Sequence, residues 1–342
     1  PMTDSIRATI LHGAGYAGGE LIRLLLDHPA VEVASVTSRS QAGQPVWTTH
    51  ARLRGQTDLE YVAPDRADLE VDAAFVCAEH GRGAAAVQGL RASGFTGTIV
   101  DFSADHRLED VGTYESVYGL EHPDPNAMRA AVYGLAEVNG DRVPGADLIA
   151  NPGCFATGIS LALWPLRDLG LEAHVTALTG ASGSGARPSS TTHFPNRDGN
   201  VRAYKVLAHR HLAEVNETLG DGATVHFVSV SGPWTRGIWG TAHVTLPDGV
   251  GLEAVTSAFE NAYRGRPLVR LSPGALPELL PVVGTPFMDI GWAERDGHLV
   301  VGFALDNLLK GAASQAVQNL NLSRGWPEAL GLLPGVGLEV AA

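Results

Sequence analysis

Over the first 150 residues, short apolar runs alternate with stretches of helical period. "RATILHG" (7–13) has the continuous apolar character of a buried strand. "AGGELIRLLLDHP" (17–29) reads as a helix with Leu21, Leu24, Leu25 and His28 on one face, ended by His28-Pro29. "VEVASVTS" (31–38), "AAFVCA" (73–78) and "GTIVDFS" (97–103) are further strands, and "GRGAAAVQGLRASG" (81–94) is a helix between the last two. Alternation of this kind predicts a parallel sheet covered on both faces.

The pattern changes after residue 154. "TGISLALWPLRDLG" (157–170) reads as a helix. "AHVTALTG" (173–180), "TVHFVSVSG" (224–232), "RGIWGTAHVTLP" (236–247) and "GHLVVGFALDN" (297–307) then alternate with period two, which predicts a mixed or antiparallel sheet. "NLLKGAASQAVQNLNLSRG" (307–325) is helical, with Leu309, Ala313, Ala316, Val317 and Leu320 on one face; we read it as returning to the first domain.

The 342 residues suit two domains. No apolar run approaches the ~18 residues of a membrane span, and a basic start followed by a long apolar stretch is lacking, so no secretory leader is expected. The formal net charge of −13 argues against nucleic acid as a partner. Two cysteines without CxxC spacing and no HExxH argue against a disulfide framework or a metal site. The expectation is a cytoplasmic enzyme.

Gly13, Gly15 and Gly18 have G-x-G-x-x-G spacing between a strand and a helix. Such a turn lets a pyrophosphate approach backbone amides at a helix N-terminus, so Gly13, Ala14, Gly15, Tyr16, Ala17 and Gly18 are the candidate dinucleotide cradle. The next strand ends in Ser38, Arg39 and Ser40, where an NAD enzyme places a carboxylate. A guanidinium flanked by hydroxyls suits a 2′-phosphate, so the expected cofactor is NADP(H). The fold class is then α/β. A Rossmann-type NADP-binding domain spans 1–153, joined by the 307–325 helix, and an α+β catalytic domain spans 154–306.

Cys154 follows Pro-Gly at a helix start, where the dipole favours a thiolate. Cys77, inside an apolar strand, reads as core. "RAYKVLAHRHLAEV" (202–215) gathers Arg202, Lys205, His209, Arg210, His211 and Glu214. His211 and Glu214 share a helix face at i, i+3, so Glu214 is expected to orient the ring of His211. A nicotinamide fold, a cysteine nucleophile and a histidine together point to one reaction type. The thiolate takes an acyl group from an activated acyl donor, a hydride reduces the thioester, and the hemithioacetal collapses to an aldehyde while the histidine moves protons. Backbone amides near Cys154 or in "GASGSGARPSS" (180–190) are the candidate oxyanion site.

With these residues in place the chain resembles a known family almost end to end. "GYAGGEL" (15–21), "TSRS" (37–40), "HG" (80–81), "DFSADHRL" (101–108), "NPGC" (151–154), "YKVLAHRHLAEV" (204–215), "DNLLKG" (306–311) and "GWPEALGL" (325–332) match the N-acetyl-γ-glutamyl-phosphate reductases of arginine biosynthesis. They equally match the related N-acyl-2-aminoadipate 6-phosphate reductases of bacterial lysine biosynthesis. The chain departs from the family with His12 in place of glycine, Ala14 in place of Ser or Thr, and Glu79 in place of proline. The resemblance implies a semialdehyde-dehydrogenase-like fold and NADPH-dependent reduction of an acyl phosphate. It makes Cys154 the nucleophile and one HRH histidine the acid/base, His211 being preferred to His209. Arg107 would contact substrate or its phosphate, with Asn151, Ser182, Lys205 and Arg210 as further substrate contacts, and Asn307, at a helix start, would meet the nicotinamide carboxamide.

The run "THFPNRDGNVRAYK" (192–205) is closer to the lysine branch, whose substrate is held on a small acidic amino-group carrier protein. Arg187, Arg197, Arg202, Lys205 and Arg210 are the candidate patch for such a partner. The arginine branch remains the alternative, since one methylene is worth only ~1–3 kcal/mol of discrimination. An aspartate-semialdehyde or glyceraldehyde-phosphate type dehydrogenase, a cysteine hydrolase or acyltransferase on a nucleotide fold, and a non-enzymatic NADP-binding protein are the other readings. The resemblance also implies a homo-oligomer, a dimer or tetramer.

Overall fold

The structure, a computed structural model, describes residues 5–338. It divides into two compact units, one formed by residues up to Pro152 together with those from Ala312 onward, the other by Gly153–Gly311.

The first unit opens with β1 (Ile6–Leu11), α1 (Tyr16–Leu26), β2 (Val31–Thr37), β3 (Tyr61–Val62), β4 (Ala73–Val76), α2 (Gly83–Ala92) and β5 (Thr98–Asp101). α3 (Val111–Tyr118), α4 (Pro125–Ala130), β6 (Val132–Tyr133), α5 (Ala136–Asn139) and β7 (Leu148–Ala150) follow. The seven strands are all parallel, in the order β3-β2-β1-β4-β5-β7-β6. Sequence order reverses beside β1, so the loops after β1 and β4 flank a switch point, where open α/β sheets bind ligands. β1 stops at Leu11, two residues short of the expected run, because His12 turns into the left-handed region (φ 60°). Glycine adopts that conformation more readily than a residue with a side chain. α1 ends at Leu26, so His28 lies beyond the helix; its Nε2 meets the Asn321 side chain at 3.0 Å. α2 is shorter than expected by two residues at each end.

The C-terminal helix of this unit is Ser314–Ser323, packed against α1 and β5. The expected helix began at 307, but a π-helical turn (Leu309–Ala313) precedes it. Its polar buried face is tied down in pairs: Asn319 Nδ2 reaches Gly134 O (2.8 Å), and Gln318 Nε2 reaches Glu137 (2.9 Å).

The second unit runs α6 (Cys154–Leu163), β8 (Leu171–Thr179), α7 (Phe194–Arg197), β9 (Arg202–Tyr204), α8 (His211–Leu219), β10 (Ala223–Ser231), β11 (Ile238–Thr245), α9 (Leu252–Ala262), β12 (Val269–Pro273), β13 (Met288–Arg295) and β14 (His298–Leu305). Its sheet order is β12-β13-β14-β11-β8-β10-β9. β8–β10 and β12–β13 are parallel and the other pairings antiparallel, so the sheet is mixed. α6 starts at Cys154, three residues earlier than the expected helix. Beyond Leu163 the chain tightens into 3-10 turns (Trp164–Leu169), since Pro165 cannot donate to the helix. Residues Phe155 through Leu163 are all buried, against β11, β14 and α8. A helix apolar all round is a core helix, and it holds the residue at its head rigidly.

Candidate active site

Each unit contributes one site, built from its own residues. In the first, α1 begins at Gly15, whose side offers no capping group. The first helix hydrogen bond runs from Gly19 N–H to Gly15 O (3.0 Å). The amides of Tyr16, Ala17 and Gly18 therefore precede the ladder and form the positive end of the helix dipole. A Cβ on Gly18 would collide with the backbone of Gly13, whereas a Cβ on Gly15 would meet open space. The turn is thus packed tight beneath and open above, which fits a pyrophosphate lying over Gly15. Ser38 is buried and its Oγ accepts from Gln41 N–H (3.3 Å), while Arg39 and Ser40 are exposed at the end of β2. Burial and the nearby cations Arg39 and Arg82 push the His12 pKa down.

Arg107 is buried at the end of a polar network that the sequence reading missed. Its Nη2 donates to Phe102 O (2.7 Å). Asp101, fully buried, accepts from Ser103 Oγ (2.7 Å) and from His106 Nδ1 (2.6 Å). Asp105, also fully buried, accepts from Gly81 N–H (2.7 Å), Ala84 N–H (3.0 Å) and the Tyr114 hydroxyl (3.1 Å). His122 donates to Asp105 O (2.6 Å). "HG" and "DFSADHRL" are thus one hydrogen-bonded unit that fixes the Arg107 loop. Asn151 serves the same unit's framework: its Nδ2 donates to Ala312 O (3.0 Å) and its Oδ1 accepts from Asn319 (3.3 Å). Cys77, expected inside a strand as core, lies just beyond β4 and is half-buried; burial of its sulfur pushes the thiol far up, which keeps it unreactive.

In the second unit Cys154 is the first residue of α6, at the helix end that stabilises an anion. Gly153, its N-cap, is the crossing point. A Cβ there would lie 2.6 Å from His211 Nε2 and 2.8 Å from Glu214 Oε1. His211 heads α8, and its Nε2 is 4.0 Å from Glu214 Oε1. The other Glu214 oxygen accepts from Gly153 N–H at 2.8 Å. Through that bond Glu214 ties the backbone preceding Cys154 to α8, which the expected pairing with His211 did not foresee. Both residues are buried.

His209 differs from His211. Its ring stands edge-on to Phe155 (5.2 Å), Phe227 (5.5 Å), Tyr204 (5.9 Å) and His211 (4.7 Å). Its Nδ1 accepts from the His211 amide (3.2 Å). Burial, then the charges of Arg210 and Lys205, push its pKa down to about 4. His209 is a neutral packing group that holds the start of α8.

The first three amides of the 180–190 loop are already committed to the fold, whereas 183–190 are exposed. Gly180, Ala181 and Ser182 amides donate to Gly237, Trp234 and Thr235 carbonyls. The Phe155 and Ala156 amides precede the first α6 bond (Thr157 N–H to Gly153 O, 2.8 Å), at the positive end of the helix. Ser182 Oγ accepts from Asn307 Nδ2 (3.0 Å), and Asn307 Oδ1 accepts from Gly237 N–H (2.6 Å). Asn307 does not head a helix, contrary to expectation. The capping oxygen is Asp306 Oδ1, which accepts from Leu308 and Leu309 amides (2.9 and 3.2 Å). Asp306 Oδ2 takes Arg236 Nε at 2.6 Å; neither residue was singled out from sequence, and nothing local would have paired them.

Arg197 leaves the expected basic patch. It is buried, with Nε on Gly232 O (2.8 Å) and Nη2 on Thr179 O (3.0 Å). Its guanidinium replaces backbone partners beneath an irregular loop, a use that a linear cluster of cations does not reveal. Arg187, Arg202 and Lys205 are exposed, and Arg210 is half-buried. Lys205 and Leu207 both have positive φ (44° and 58°). Among the described residues no cluster fit to hold a metal ion occurs and no helix is long and apolar enough to cross a membrane.

A dinucleotide turn on a parallel sheet, with a cysteine at the head of a core helix in a mixed-sheet unit, defines an NAD(P)-dependent oxidoreductase of the aldehyde-forming type. Residues 7–146 match the NAD binding domain of semialdehyde dehydrogenases, and residues 154–307 match their dimerisation domain. An N-acetyl-gamma-glutamyl-phosphate reductase of Methanocella arvoryzae is 43% identical, the alignment covering 96% of this chain and 98% of that one. A [LysW]-L-2-aminoadipate 6-phosphate reductase of Deinococcus radiodurans is 40% identical, covering 96% and 97%. The aspartate semialdehyde dehydrogenase II of Vibrio cholerae shares the fold with a TM-score of 0.72 at 17% identity, covering 94% of this chain and 98% of that one. The chain belongs to the semialdehyde dehydrogenase family, within the group of amino-acid acyl-phosphate reductases.

Proposed function

We propose that the chain reduces the ω-acyl phosphate of an N-blocked acidic amino acid to its semialdehyde, through a thioester on Cys154, with NADPH as reductant. The observation that carries this reading is the convergence of Cys154, His211 and Glu214 on Gly153. His211 takes the Cys154 proton as Sγ attacks the acyl carbon. The carbon–oxygen bond to phosphate breaks, and His211 returns the proton to the departing phosphate. The Phe155 and Ala156 amides stabilise the oxyanion. The dinucleotide, when bound, supplies hydride to the thioester carbonyl. Collapse of the hemithioacetal then expels the Cys154 thiolate and frees the aldehyde. Arg39, exposed at the end of β2, would hold the 2′-phosphate of the cofactor, and Arg107 the substrate or its phosphate.

The preferred substrate is the six-carbon aminoadipate derivative on an acidic carrier protein. The exposed cations Arg187, Arg202 and Lys205, on the segment between β8 and α8 of an otherwise acidic chain, support it. The acetylated five-carbon substrate is the second reading, favoured by the relative named above at 43% identity. Mass spectrometry of protein incubated with acyl phosphate, without NADPH, tests the chemistry: an acyl adduct is expected on Cys154 and absent in Cys154→Ser. An adduct mapped elsewhere, or turnover in the variant, overturns it. Phosphate-dependent NADP reduction with the carrier-bound six-carbon and the acetylated five-carbon semialdehydes decides the branch.

A further inference from the structure

Two departures of the chain from its family, His12 for glycine and Glu79 for proline, lie at the ends of neighbouring strands. β1 runs between β2 and β4, and the residues just beyond these three strands share one edge of the parallel sheet. On the β2 side the His12 amide donates to Thr37 Oγ1 (3.0 Å) and the Gly13 amide to Thr37 O (3.0 Å), which sets His12 beside Ser38 and Arg39. On the β4 side the Cys77 amide donates to Leu11 O (2.9 Å). The chain then turns from Glu79 to Arg82, whose amide donates to Glu79 O (3.0 Å). The charges that reach the half-buried His12 ring are accordingly those of Arg39, Arg82 and Glu79.

Three observations point to an anion at this edge. His12 keeps a side chain in the left-handed region (φ 60°), which glycine would occupy without strain; strain of that kind collects at ligand sites. Arg39 and Arg82 are both exposed, and among the described residues neither guanidinium has a hydrogen bond or an ion pair. The edge also borders the switch point and the free amides at the head of α1. We propose that His12 and Arg82 join Arg39 in holding the 2′-phosphate of the dinucleotide, so that selection of NADPH over NADH comes from both sides of β1 and not from the end of β2 alone. This rests on the reading of NADPH as the reductant. A ribose whose pyrophosphate rests on the α1 amides extends toward the end of β2, and His12 stands between those two places. The imidazole gives the phosphate one N–H and each guanidinium a fork of them. Glu79, exposed, is the one carboxylate among the charges around His12; it weakens the field of two arginines without cancelling it.

Isothermal titration calorimetry of the full chain with NADP, NAD and 2′,5′-ADP tests this. The parent is expected to bind NADP at least about 100-fold more tightly than NAD. His12→Gly, which removes the ring and relieves the strain, should weaken NADP about 3- to 10-fold, the worth of one hydrogen bond, and leave NAD within about twofold. Its melting temperature should not fall below the parent's. Arg82→Ala should cost NADP about 10-fold, and the double variant at least about 30-fold. The same order with 2′,5′-ADP, which lacks the nicotinamide, assigns the losses to the 2′-phosphate. Arg129→Ala, exposed on α4, should leave the NADP to NAD ratio as it is. A parent without preference for NADP removes the cofactor reading and this proposal with it. A parent preference that survives within about twofold in both single variants removes the proposal alone. Equal losses of NADP and NAD in His12→Gly, or an Arg129→Ala effect as large as that of Arg82→Ala, also overturn it.

Discussion

Gly153→Ala isolates the geometry of the site from the stability of the fold. Gly153 has φ −71° and ψ 144°, open to any residue, so alanine introduces no backbone strain. The cost at a helix N-cap is about 0.5–1 kcal/mol and crowding of the buried His211 and Glu214 adds about 1–3 kcal/mol, together a fall in melting temperature of about 3–8 °C. The added methyl, however, starts 2.6 Å from His211 Nε2 and 2.7 Å from its Cε1. Relief to ordinary contact moves the ring about 0.8 Å. A misplacement of about 1 Å costs on the order of 10²-fold in rate, ~2.7 kcal/mol of barrier. The assay follows NADPH formation at 340 nm in the oxidative direction, with phosphate and semialdehyde saturating, alongside a thermal melt. We expect kcat to fall about 100-fold with KM for NADP unchanged. A kcat within threefold of the parent refutes the assignment of His211 as the acid/base. A melting temperature lowered by more than ~10 °C makes the loss structural and refutes the reasoning equally.

Other consequences follow from single side chains. Arg39→Ala is expected to raise KM for NADPH about 10- to 100-fold, the worth of a charge-assisted contact to phosphate, while leaving NADH unchanged; equal losses with both cofactors would remove the 2′-phosphate role. His209 is held neutral in the fold with its pKa lowered to about 4. Below an unfolded value near 6.5 the unfolded chain binds the extra proton first, so this residue's contribution is present above that pH and is lost as pH falls from 6.5 toward 4. Urea melts at pH 7 and pH 4.5 should show His209→Asn recovering about 2 kcal/mol relative to the parent at the lower pH; parallel losses in both proteins would contradict the buried neutral ring.

The parallel sheet, the mixed sheet and the glycine turn were legible because each is written in local period. β1, β2, β4 and β5 are short, largely apolar runs, β8 and β11 alternate buried and exposed positions throughout, and β10 alternates over its first half. Helix ends were not legible to the residue. α6 was expected to start three residues late because "NPGC" has no side chain that caps; its cap is Gly153, pinned by a carboxylate 61 residues away. The expected 307–325 helix hides a π-turn, since apolar spacing through Leu309 and Ala313 does not distinguish five residues per turn from four.

The site was legible in its chemistry and not in its wiring. The i, i+3 spacing of His211 and Glu214 was readable, yet it suggested a simple pair. The carboxylate instead divides its oxygens between the histidine side and the Gly153 amide. Spacing likewise does not distinguish two histidines two residues apart, and neither does burial, which is alike for both; their neighbours do. His209 faces three aromatic rings besides His211, and its Nδ1 is spent on a backbone amide, whereas His211 lies against the cap of the cysteine helix. The same logic explains Arg197, which counts as a surface cation in the sequence and is a buried bracket in the fold. A charged residue's role here depends on which backbone groups the irregular loops leave unpaired, and that is settled only once strands far apart in the chain have met. For this reason the glycine of "NPGC" carries two constraints at once: a side chain there would run into His211 and Glu214, and its amide is the handle by which α8 holds α6.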